Sequence, residues 1–537
     1  MLIMNLQKDE LRKVYGQISP FEFKDKLIRL AKANNDDILD AGRGNPNWTA
    51  STPREAFFTF GQFAIKETQR TWCKDDLAGM PEKKNIAKRF KEFLENSPQT
   101  SAIELLANIL KYGIEEMNFD ADEYIYELTD GIIGDNYPVP DRMLIHIEKI
   151  VHNYLMKELC QNKKFESNFE VFAVEGGTAA MCYIFDSLVV NNLLKSGDTI
   201  ALMTPIFTPY LEIPHLPNYK FNVINIKANE VDENGNPTWQ YPKEELNKLK
   251  DKNIKVLFVV NPNNPASIAL SRDCKDNLIS VVKEHNPELM IVTDDVYCTF
   301  VDNFHSLVSE LPYNTLGVYS YSKYFGVTGW RLGTIFLNEK NIFNDLMKKL
   351  SPAMKNELNE RYKHLCQNPD KLSFMDRLVA DSRQVALNHT AGLSTPQQVQ
   401  MAFFSLFALI DKENNYKQLT KDICKIRKNL LFNGLELEYE KSRHDAAYYT
   451  ELNILDIASM KYGNTFAEHI KENYSTFDVL YDLAKDHGVI LLNGDGFASS
   501  KWSIRVSLAN LKDGAYPQIG IAIKNLIDNL YNTYLNL

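Results

Sequence analysis

Seven short apolar runs in the middle of the chain constrain its fold more than any other feature. They are VFAV (171–174), TIALMT (199–204), FNVINI (221–226), KVLFVV (255–260), MIVTD (290–294), VYSYS (318–322) and GTIFL (333–337). Several are apolar at consecutive positions, as strands covered on both faces are. Helix-like stretches such as residues 271–285 lie between many of them. This alternation predicts an α/β fold with a mostly parallel, seven-stranded sheet.

The segments on either side of this core differ from it in amino-acid composition. Residues 62–130 and 340–385 are rich in charged residues with intermittent apolar ones, which predicts helical insertions. We expect a large domain at residues 51–424 that carries both insertions. Residues 425–537 mix helical and strand-like runs, and we expect them to form a smaller α+β domain together with the N-terminal segment 1–50.

Charge and composition narrow the classes of function. The 537 residues have a formal net charge of −10, so nucleic-acid binding has no electrostatic support. No apolar run is long enough to span a bilayer, and the N-terminus lacks the apolar core of a signal peptide. The seven cysteines are scattered and never form C-x-x-C, which favours reduced thiols in the cytoplasm and argues against a zinc site or any other metal site.

Five of the apolar runs end in residues that favour turns or can bind ligands. These endings are Gly-Gly-Thr (176–178), Pro-Ile-Phe (205–207), Asn-Pro-Asn-Asn-Pro (261–265), Asp-Asp-Val-Tyr (294–297) and Lys323. Each ending alone could be ordinary turn chemistry. In open α/β sheets, however, ligands bind outside the carboxyl ends of the strands. Five such endings at one edge of one sheet therefore predict a binding site.

One part of this predicted site suits an anion. Gly177 and Thr178 begin a helix-like run and offer backbone N–H groups, a hydroxyl and a helix N-terminus. Ser320 and Ser322 flank the lysine, and Arg331 could bind the same anion as a bidentate fork. These residue types together favour a phosphate group.

The remaining candidates suit an aromatic ring that carries an aldehyde. Asp294 can pair with a protonated ring nitrogen, and Asn261 and Tyr297 can hydrogen-bond a ring oxygen. Phe207 can cover a ring face, although it could equally be a core residue. Lys323 can form a Schiff base with an aldehyde. A phosphate, a basic ring nitrogen, a phenolic oxygen and an aldehyde describe pyridoxal 5'-phosphate.

The stretch SYSKYFGVTGWRLG (320–333) resembles the lysine signature of the class I and II aminotransferases, which are fold-type I pyridoxal-phosphate enzymes. The order of the other elements is also similar to that family. The resemblance implies that Lys323 is the catalytic lysine that binds the cofactor. It implies that Gly44 and Arg505 bind the substrate α-carboxylate, and that Tyr137 reaches the cofactor phosphate of a neighbouring subunit. A homodimer or a larger homo-oligomer follows from that last role.

Within this family the chain resembles the L-aspartate 4-decarboxylases from about residue 20 to the C-terminus, including the insertions. The stretches that carry this likeness include AGRGNPNW, NYPVPDRM, TPIFTPYLEIP and WSIRVSLANL. The resemblance implies β-decarboxylation of L-aspartate to L-alanine and CO2 through a ketimine, a secondary aspartate aminotransferase activity, and assemblies as large as a dodecamer. Arg43 is our candidate for the distal carboxylate, with Asn261 also near the substrate. Tyr137, Lys24 and Lys26 could assist, and Arg43 could instead be a surface or bracing arginine.

Two other functions compete with this one. The first is an ordinary aminotransferase acting on aspartate or another dicarboxylic amino acid. The second is a non-catalytic regulator built on an aminotransferase-like domain, which would need a DNA-binding domain before it. We do not expect such a domain, because the G-x-P element begins at Gly44 and the net charge is acidic.

Overall fold

A seven-stranded sheet forms the centre of the computed structural model, which describes residues 2–73, 77–233, 235–383 and 392–536. Its strands are β2 (Phe169–Val174), β3 (Thr199–Thr204), β4 (Asn222–Lys227), β5 (Ile254–Val260), β6 (Met290–Asp294), β7 (Thr315–Ser320) and β8 (Gly333–Asn338). Their spatial order is β2-β8-β7-β6-β5-β3-β4, and β8 alone runs antiparallel to its neighbours. The predicted mostly parallel α/β sheet is therefore confirmed.

Helices cover both faces of this sheet, which explains why its strands are apolar at consecutive positions. They include α7 (Ile145–Cys160), α8 (Gly177–Val190), α9 (Thr208–Glu212), α10 (Lys243–Leu246), α11 (Arg272–Glu284), α12 (Leu307–Glu310), α13 (Ile342–Lys348), α14 (Pro352–Tyr362) and α15 (Phe374–Asp381). Every residue of β7 and of β8 is buried. No helix within the described residues is long and apolar enough to cross a membrane.

The N-terminal half contributes a helical layer. Its elements are α1 (Leu2–Val14), α2 (Pro20–Asn34), β1 (Leu39–Asp40), α3 (Ser51–Arg70), α4 (Ile86–Glu95), α5 (Ser101–Glu115) and α6 (Ala121–Ile133). An aromatic cluster joins α3 and α4 to α16 (Thr395–Ile410), with Phe60 lying 5.2 Å from Phe90 and 5.6 Å from Phe403 between ring centroids. Within the segment 62–130, the described residues contain α4, α5 and parts of α3 and α6, and its role as an insertion in a large domain stays a prediction. Of the segment at 340–385, residues 384 and 385 lie outside the described residues.

The C-terminal part forms a second, smaller sheet. It contains α17 (Asn415–Leu435), β9 (Tyr449–Asn453), α18 (Ile454–Tyr462), α19 (Asn464–Asn473), α20 (Thr476–His487), β10 (Val489–Ile490), β11 (Leu492–Asn493), β12 (Ser503–Ser507) and α21 (Ala515–Leu535). Strands β11, β12 and β9 pair antiparallel, β1 pairs in parallel with β10, and α2 packs against α20. The N-terminal segment therefore joins this part of the chain. The domain boundary expected after residue 424 falls inside the continuous helix α17, and the division stays a prediction.

Candidate functional site

A cavity of about 300 Å³ lies at the carboxyl edge of the large sheet, where the sequence predicts a ligand site. Most of the predicted site residues line it: Gly44, Gly177, Thr178, Phe207, Asp294, Tyr297, Ser320, Ser322, Lys323, Arg331 and Arg505. The N-terminal segment, the large sheet and the small sheet all contribute to this lining. Residues from distant parts of the chain therefore meet in one cavity.

Lys323 lies three residues beyond the end of β7 and is only partly buried. Its Nζ donates a hydrogen bond to the backbone oxygen of Gly44 at 2.9 Å. A Cβ at position 44 would lie 2.5 Å from the Tyr449 hydroxyl oxygen and 3.1 Å from Lys323 Nζ. Only glycine lets the backbone approach the lysine this closely.

Backbone and hydroxyl donors form a cradle at the other end of the cavity. Gly176 has φ +87°, and a Cβ there would lie 2.5 Å from Nη2 of Arg331. Gly177 begins the 14-residue helix α8 and lines the cavity, so the free N–H groups at the N-terminus of α8 lie at the cavity. The Ser320 hydroxyl donates to Ser322 Oγ at 3.0 Å. Helix N–H groups, two hydroxyls and a guanidinium around one space can bind a phosphate.

Asp294 is the carboxylate that lines the cavity. Its Oδ2 accepts a hydrogen bond from the Tyr210 hydroxyl at 2.5 Å, and burial raises its pKa above the ordinary value of 3.8. Asp295 points elsewhere, because its two oxygens accept from the Thr293 hydroxyl at 2.9 Å and the Ser306 hydroxyl at 2.5 Å. Strand alternation thus gives the two adjacent aspartates different surroundings.

Asn261 and Tyr297 are both buried beside this carboxylate. Asn261 follows the cavity-lining Val260, and its Oδ1 accepts the Leu270 N–H at 3.0 Å. Its Nδ2 has no hydrogen-bond partner within the part of the chain that the structure describes. A buried amide donor without a partner is costly, so this atom suits an acceptor on a bound ligand. The Tyr297 hydroxyl donates to Tyr449 at 3.1 Å.

Arg505 is buried to 1 % exposure in β12. Its Nη1 donates to Asn264 Oδ1 at 3.0 Å and its Nη2 to the Gly42 carbonyl at 2.8 Å. Nε has no partner, and no carboxylate lies within 4.0 Å of the guanidinium among the described residues. A buried guanidinium without a counter-ion is a strong candidate for binding a substrate carboxylate.

Tyr449 lies close to two of the cations that line the cavity, Lys323 and Arg505. The Arg505 guanidinium is 4.2 Å from the centre of its ring. Burial alone would raise the Tyr449 pKa, but the charges of Lys323 and Arg505 and the hydrogen bond from Tyr297 lower it below the ordinary value of 10. This hydroxyl is therefore a proton donor more acidic than a free tyrosine, next to the lysine.

Besides Asn261, which lies next to the lining residue Val260, two predicted residues are not brought to the cavity. The Arg43 side chain is 58 % exposed, and its Nε lies 2.9 Å from Asp40 Oδ2. Tyr137 is 74 % exposed in the segment between α6 and α7. Its expected place is in a neighbouring subunit's site, so exposure in one chain accords with that expectation. The roles of both residues stay predictions.

The sequence did not identify several residues that line or support the cavity. Tyr210, Asn264, Phe21 and Tyr449 belong to this group. Asn264 is in the same Asn-Pro-Asn-Asn-Pro run as Asn261, and Tyr210 comes three residues after Phe207, whose ring centroid is 5.7 Å from its own. Those two could have been found by extending the motifs. No local pattern marks Phe21 or Tyr449.

Comparisons with known proteins agree with this geometry. The chain is 44% identical over 522 residues to a bifunctional aspartate aminotransferase and L-aspartate beta-decarboxylase from Pseudomonas sp, covering 97% of each chain. It is 20% identical to a probable aspartate aminotransferase from Methanocaldococcus jannaschii, over 72% of this chain and 93% of that protein. The crystal structure of the aspartate aminotransferase from Rhizobium meliloti superposes with a TM-score of 0.59 at 15% identity, over 95% of this chain and 96% of that one.

The sequence profile of the class I and II aminotransferases matches residues 151–519, more than half of the chain. The matched range contains the large sheet, Lys323 and Arg505. The fold, the lysine beyond β7 and this match agree, and the chain belongs to the aminotransferase class I and II family.

Proposed function

We propose that this chain is a pyridoxal-phosphate enzyme that converts L-aspartate to L-alanine and CO2, with aspartate transamination as a second activity. The observation that carries the proposal is the 44% identity to a protein named for both activities, which extends over 97% of both chains. A match of that length includes the helical segments outside the family profile at 151–519. An aminotransferase without decarboxylase activity is the alternative that the experiment below separates.

The residues of the cavity fit this cofactor. The cradle around Gly177, Ser322 and Arg331 would hold its phosphate, and Asp294 would pair with its ring nitrogen. The unpartnered Nδ2 of Asn261 supplies the donor that a phenolic oxygen requires. Phe207 would cover one face of the ring. When bound, pyridoxal phosphate supplies an electron sink for the bond that breaks at the substrate.

Lys323 is the residue that moves protons in this proposal. Its Nζ is the covalent attachment point in the resting enzyme and, once released, the base that takes the proton from the substrate Cα. Gly44 keeps its backbone oxygen within 2.9 Å of Nζ, which orients the amine toward the cavity. The Tyr449 hydroxyl, close to both Lys323 and Arg505, can hydrogen-bond the amine while it is free.

Arg505 would hold the substrate α-carboxylate. The Gly42 carbonyl and Asn264 already orient its guanidinium, so little freedom is lost when the carboxylate binds. The distal carboxylate needs weaker binding, because a tight bidentate pair would stabilise the group that must leave as CO2. We propose Arg43 for that role, through a pairing that loosens as the carbon–carbon bond breaks.

We further propose that the enzyme works as a homodimer or a larger homo-oligomer. Tyr137 and the nearby Val139 are 74 % and 75 % exposed, although both are large apolar side chains. A neighbouring subunit that covers this segment would place Tyr137 at that subunit's phosphate cradle. We also propose a cytoplasmic location, which the seven free cysteines support.

The test is product analysis with L-aspartate. The purified holoenzyme should release CO2 and alanine in equal amounts without an added keto-acid acceptor. Oxaloacetate should then not exceed one equivalent per active site, because the amino group stays on the cofactor until a keto acid is added. Lys323→Ala should lose both activities and the absorbance of the lysine-bound cofactor. Oxaloacetate without CO2 would establish an ordinary aminotransferase. An unchanged absorbance in Lys323→Ala would refute the cofactor assignment.

A further inference from the structure

A second cavity, of about 420 Å³, shares no lining residue with the catalytic cavity. It lies between the beginning of α11, the segment 300–305, and the part of the chain that connects α17 with β9. We call it the basic cavity, because six of its lining residues are arginine, lysine or histidine: Arg272, Lys275, His305, Lys425, Arg443 and His444.

Lys275 is the most unusual of these residues. It is only 8 % exposed, and its Nζ donates one hydrogen bond, to the His305 backbone oxygen at 3.3 Å. No carboxylate lies within 4.0 Å of this ammonium group among the described residues, and burial lowers its pKa. A buried cation without a counter-ion is unfavourable unless a ligand supplies the negative charge.

The charges of Glu310, Asp276 and Asp295 act on Lys275, but none of these carboxylates pairs with it directly. Glu310 and Asp276 pair with Arg272, and Asp295 accepts hydrogen bonds from two hydroxyl groups.

Two carboxylates line the basic cavity, and each already forms an ion pair with a lysine. Asp302 pairs with Lys421, and Asp445 pairs with Lys428 at 2.6 Å. Neither lysine partner lines the cavity. In the described part of the chain, Lys425 and Arg443 also have no carboxylate within 4.0 Å, so the cavity has an excess of positive charge.

The two histidines differ in their hydrogen bonding, since His444 Nε2 accepts a hydrogen bond from Arg443 Nε at 3.3 Å. The Nδ1 atom of His305 is buried and has no hydrogen-bond partner in the described structure. The pKa of His305 is lowered by burial and by Lys275, and that of His444 is lowered by burial, Arg443 and Lys275. Both imidazoles thus lie in the positive field of the same cations. A bound anion would relieve that repulsion and supply the missing hydrogen-bond acceptor.

Part of the wall of the basic cavity is apolar. Leu270, Phe300, Val301 and Phe304 line it. Ligand sites typically combine an apolar wall with a few charged or polar groups that fix the orientation of the ligand. The volume also leaves space beyond a single oxyanion, so a ligand with an anionic head and a small carbon skeleton would fill it.

We propose that the basic cavity binds the phosphate group of a small phosphomonoester, at a site separate from the catalytic cavity. A phosphate dianion matches two or more uncompensated cations and accepts several hydrogen bonds at once, from Lys275, Arg443 and the imidazoles. The apolar wall would contact the organic part. Inorganic phosphate has the same chemistry and is the other possible source of the ligand.

The test uses holoenzyme saturated with pyridoxal phosphate, so that the catalytic cradle is filled. Isothermal titration at constant ionic strength measures the binding of inorganic phosphate and of glycerol 3-phosphate. We expect one saturable site per chain. Tighter binding of the ester would identify a phosphorylated metabolite as the source, and equal affinities would identify free phosphate. Either result supports a phosphate site.

Three variants locate that binding. Lys275→Met should weaken it at least tenfold, whereas Lys340→Gln, an exposed lysine outside the cavity, should not change it. If Lys275→Met fails to fold, the double variant Lys425→Gln with Arg443→Gln tests the same site, because both side chains are exposed. The absence of saturable binding, or an affinity that these variants leave unchanged, would overturn the proposal.

Discussion

Glu451 gives a prediction whose size can be worked out from the structure. It lies in β9 directly opposite Arg505 of β12, one strand away from the proposed substrate carboxylate. Both carboxylate oxygens are buried, and burial raises the pKa from 4.5 to about 7, although the Arg505 charge offsets part of that effect. We expect Glu451→Gln to remove the loss of folding stability that ionisation of this carboxylate causes in the wild-type protein at neutral and alkaline pH.

The sign and the size follow from proton linkage. Between pH 4.5 and 7 the folded state binds more protons at Glu451 than the unfolded state, so this residue lowers stability as the pH rises. At about 1.4 kcal/mol per pKa unit the full cost is about 3 kcal/mol, and most of it develops between pH 5 and pH 8. Glutamine does not ionise and lacks this pH dependence.

The assay compares the free energy of unfolding of Glu451→Gln and the wild-type protein in urea at pH 5 and pH 8, at one protein concentration. The free energy of unfolding of the variant should gain about 2–3 kcal/mol relative to wild type between the two pH values. Glu472→Gln, at an exposed position, is the matched control and should gain nothing. A stability difference that is the same at pH 5 and pH 8 would refute the argument that Glu451 is held neutral by burial.

Three further substitutions test the catalytic cavity. Gly44→Ala should lower kcat by about 10- to 100-fold, because the new Cβ would lie 2.5 Å from the Tyr449 hydroxyl and overpacking typically costs about 1–3 kcal/mol. Steady-state kinetics measures kcat, and an unchanged value would contradict this prediction. Arg505→Lys should raise KM for aspartate by about 10- to 100-fold, since a charged hydrogen bond is worth about 1.5–3 kcal/mol and lysine lacks the bidentate fork. Arg43→Ala should change the ratio of alanine to oxaloacetate, measured by product analysis. Its exposed pair with Asp40 is worth only about 0–1 kcal/mol, so a purely structural Arg43 would leave that ratio unchanged.

The parts of the fold that the sequence predicted are those encoded locally. All seven apolar runs correspond to strands, and six of them are mostly buried, as strands that are apolar over consecutive residues should be. The exception is the edge strand β4, in which only Ile226 is buried. Only the ends shift: β7 spans Thr315–Ser320, whereas the run was placed at 318–322. The ligand-binding endings could also be predicted, since parallel strands bring their carboxyl ends to one edge whatever the length of the connections.

Contacts between distant segments could not be predicted in this way. Lys323 and the Gly44 carbonyl are 279 positions apart, and the meeting of Arg505 with Gly42 depends on how β1 and β10 join the N-terminal segment to the small sheet. Tyr449 follows another tyrosine in a buried strand, so nothing local distinguishes the residue beside the lysine from an ordinary core residue. Its lowered pKa depends on two cations and a hydrogen bond from Tyr297, all of which come from other segments of the chain.

The charges around the cavity give a physical reason for a division between two reactions. Lys323, Arg505 and Arg331 make the cavity positive. Among the residues that the structure describes, Asp294 is the only carboxylate in its lining, so a dicarboxylic substrate is attracted. The same attraction would oppose loss of the distal carboxylate if a buried arginine clamped that group as well. Arg43 instead stays 58 % exposed beside Asp40, where water and a competing carboxylate weaken any pairing. If Arg43 binds the distal carboxylate as proposed, such a weak pairing would let that group leave as CO2, and its strength would set the ratio of decarboxylation to transamination.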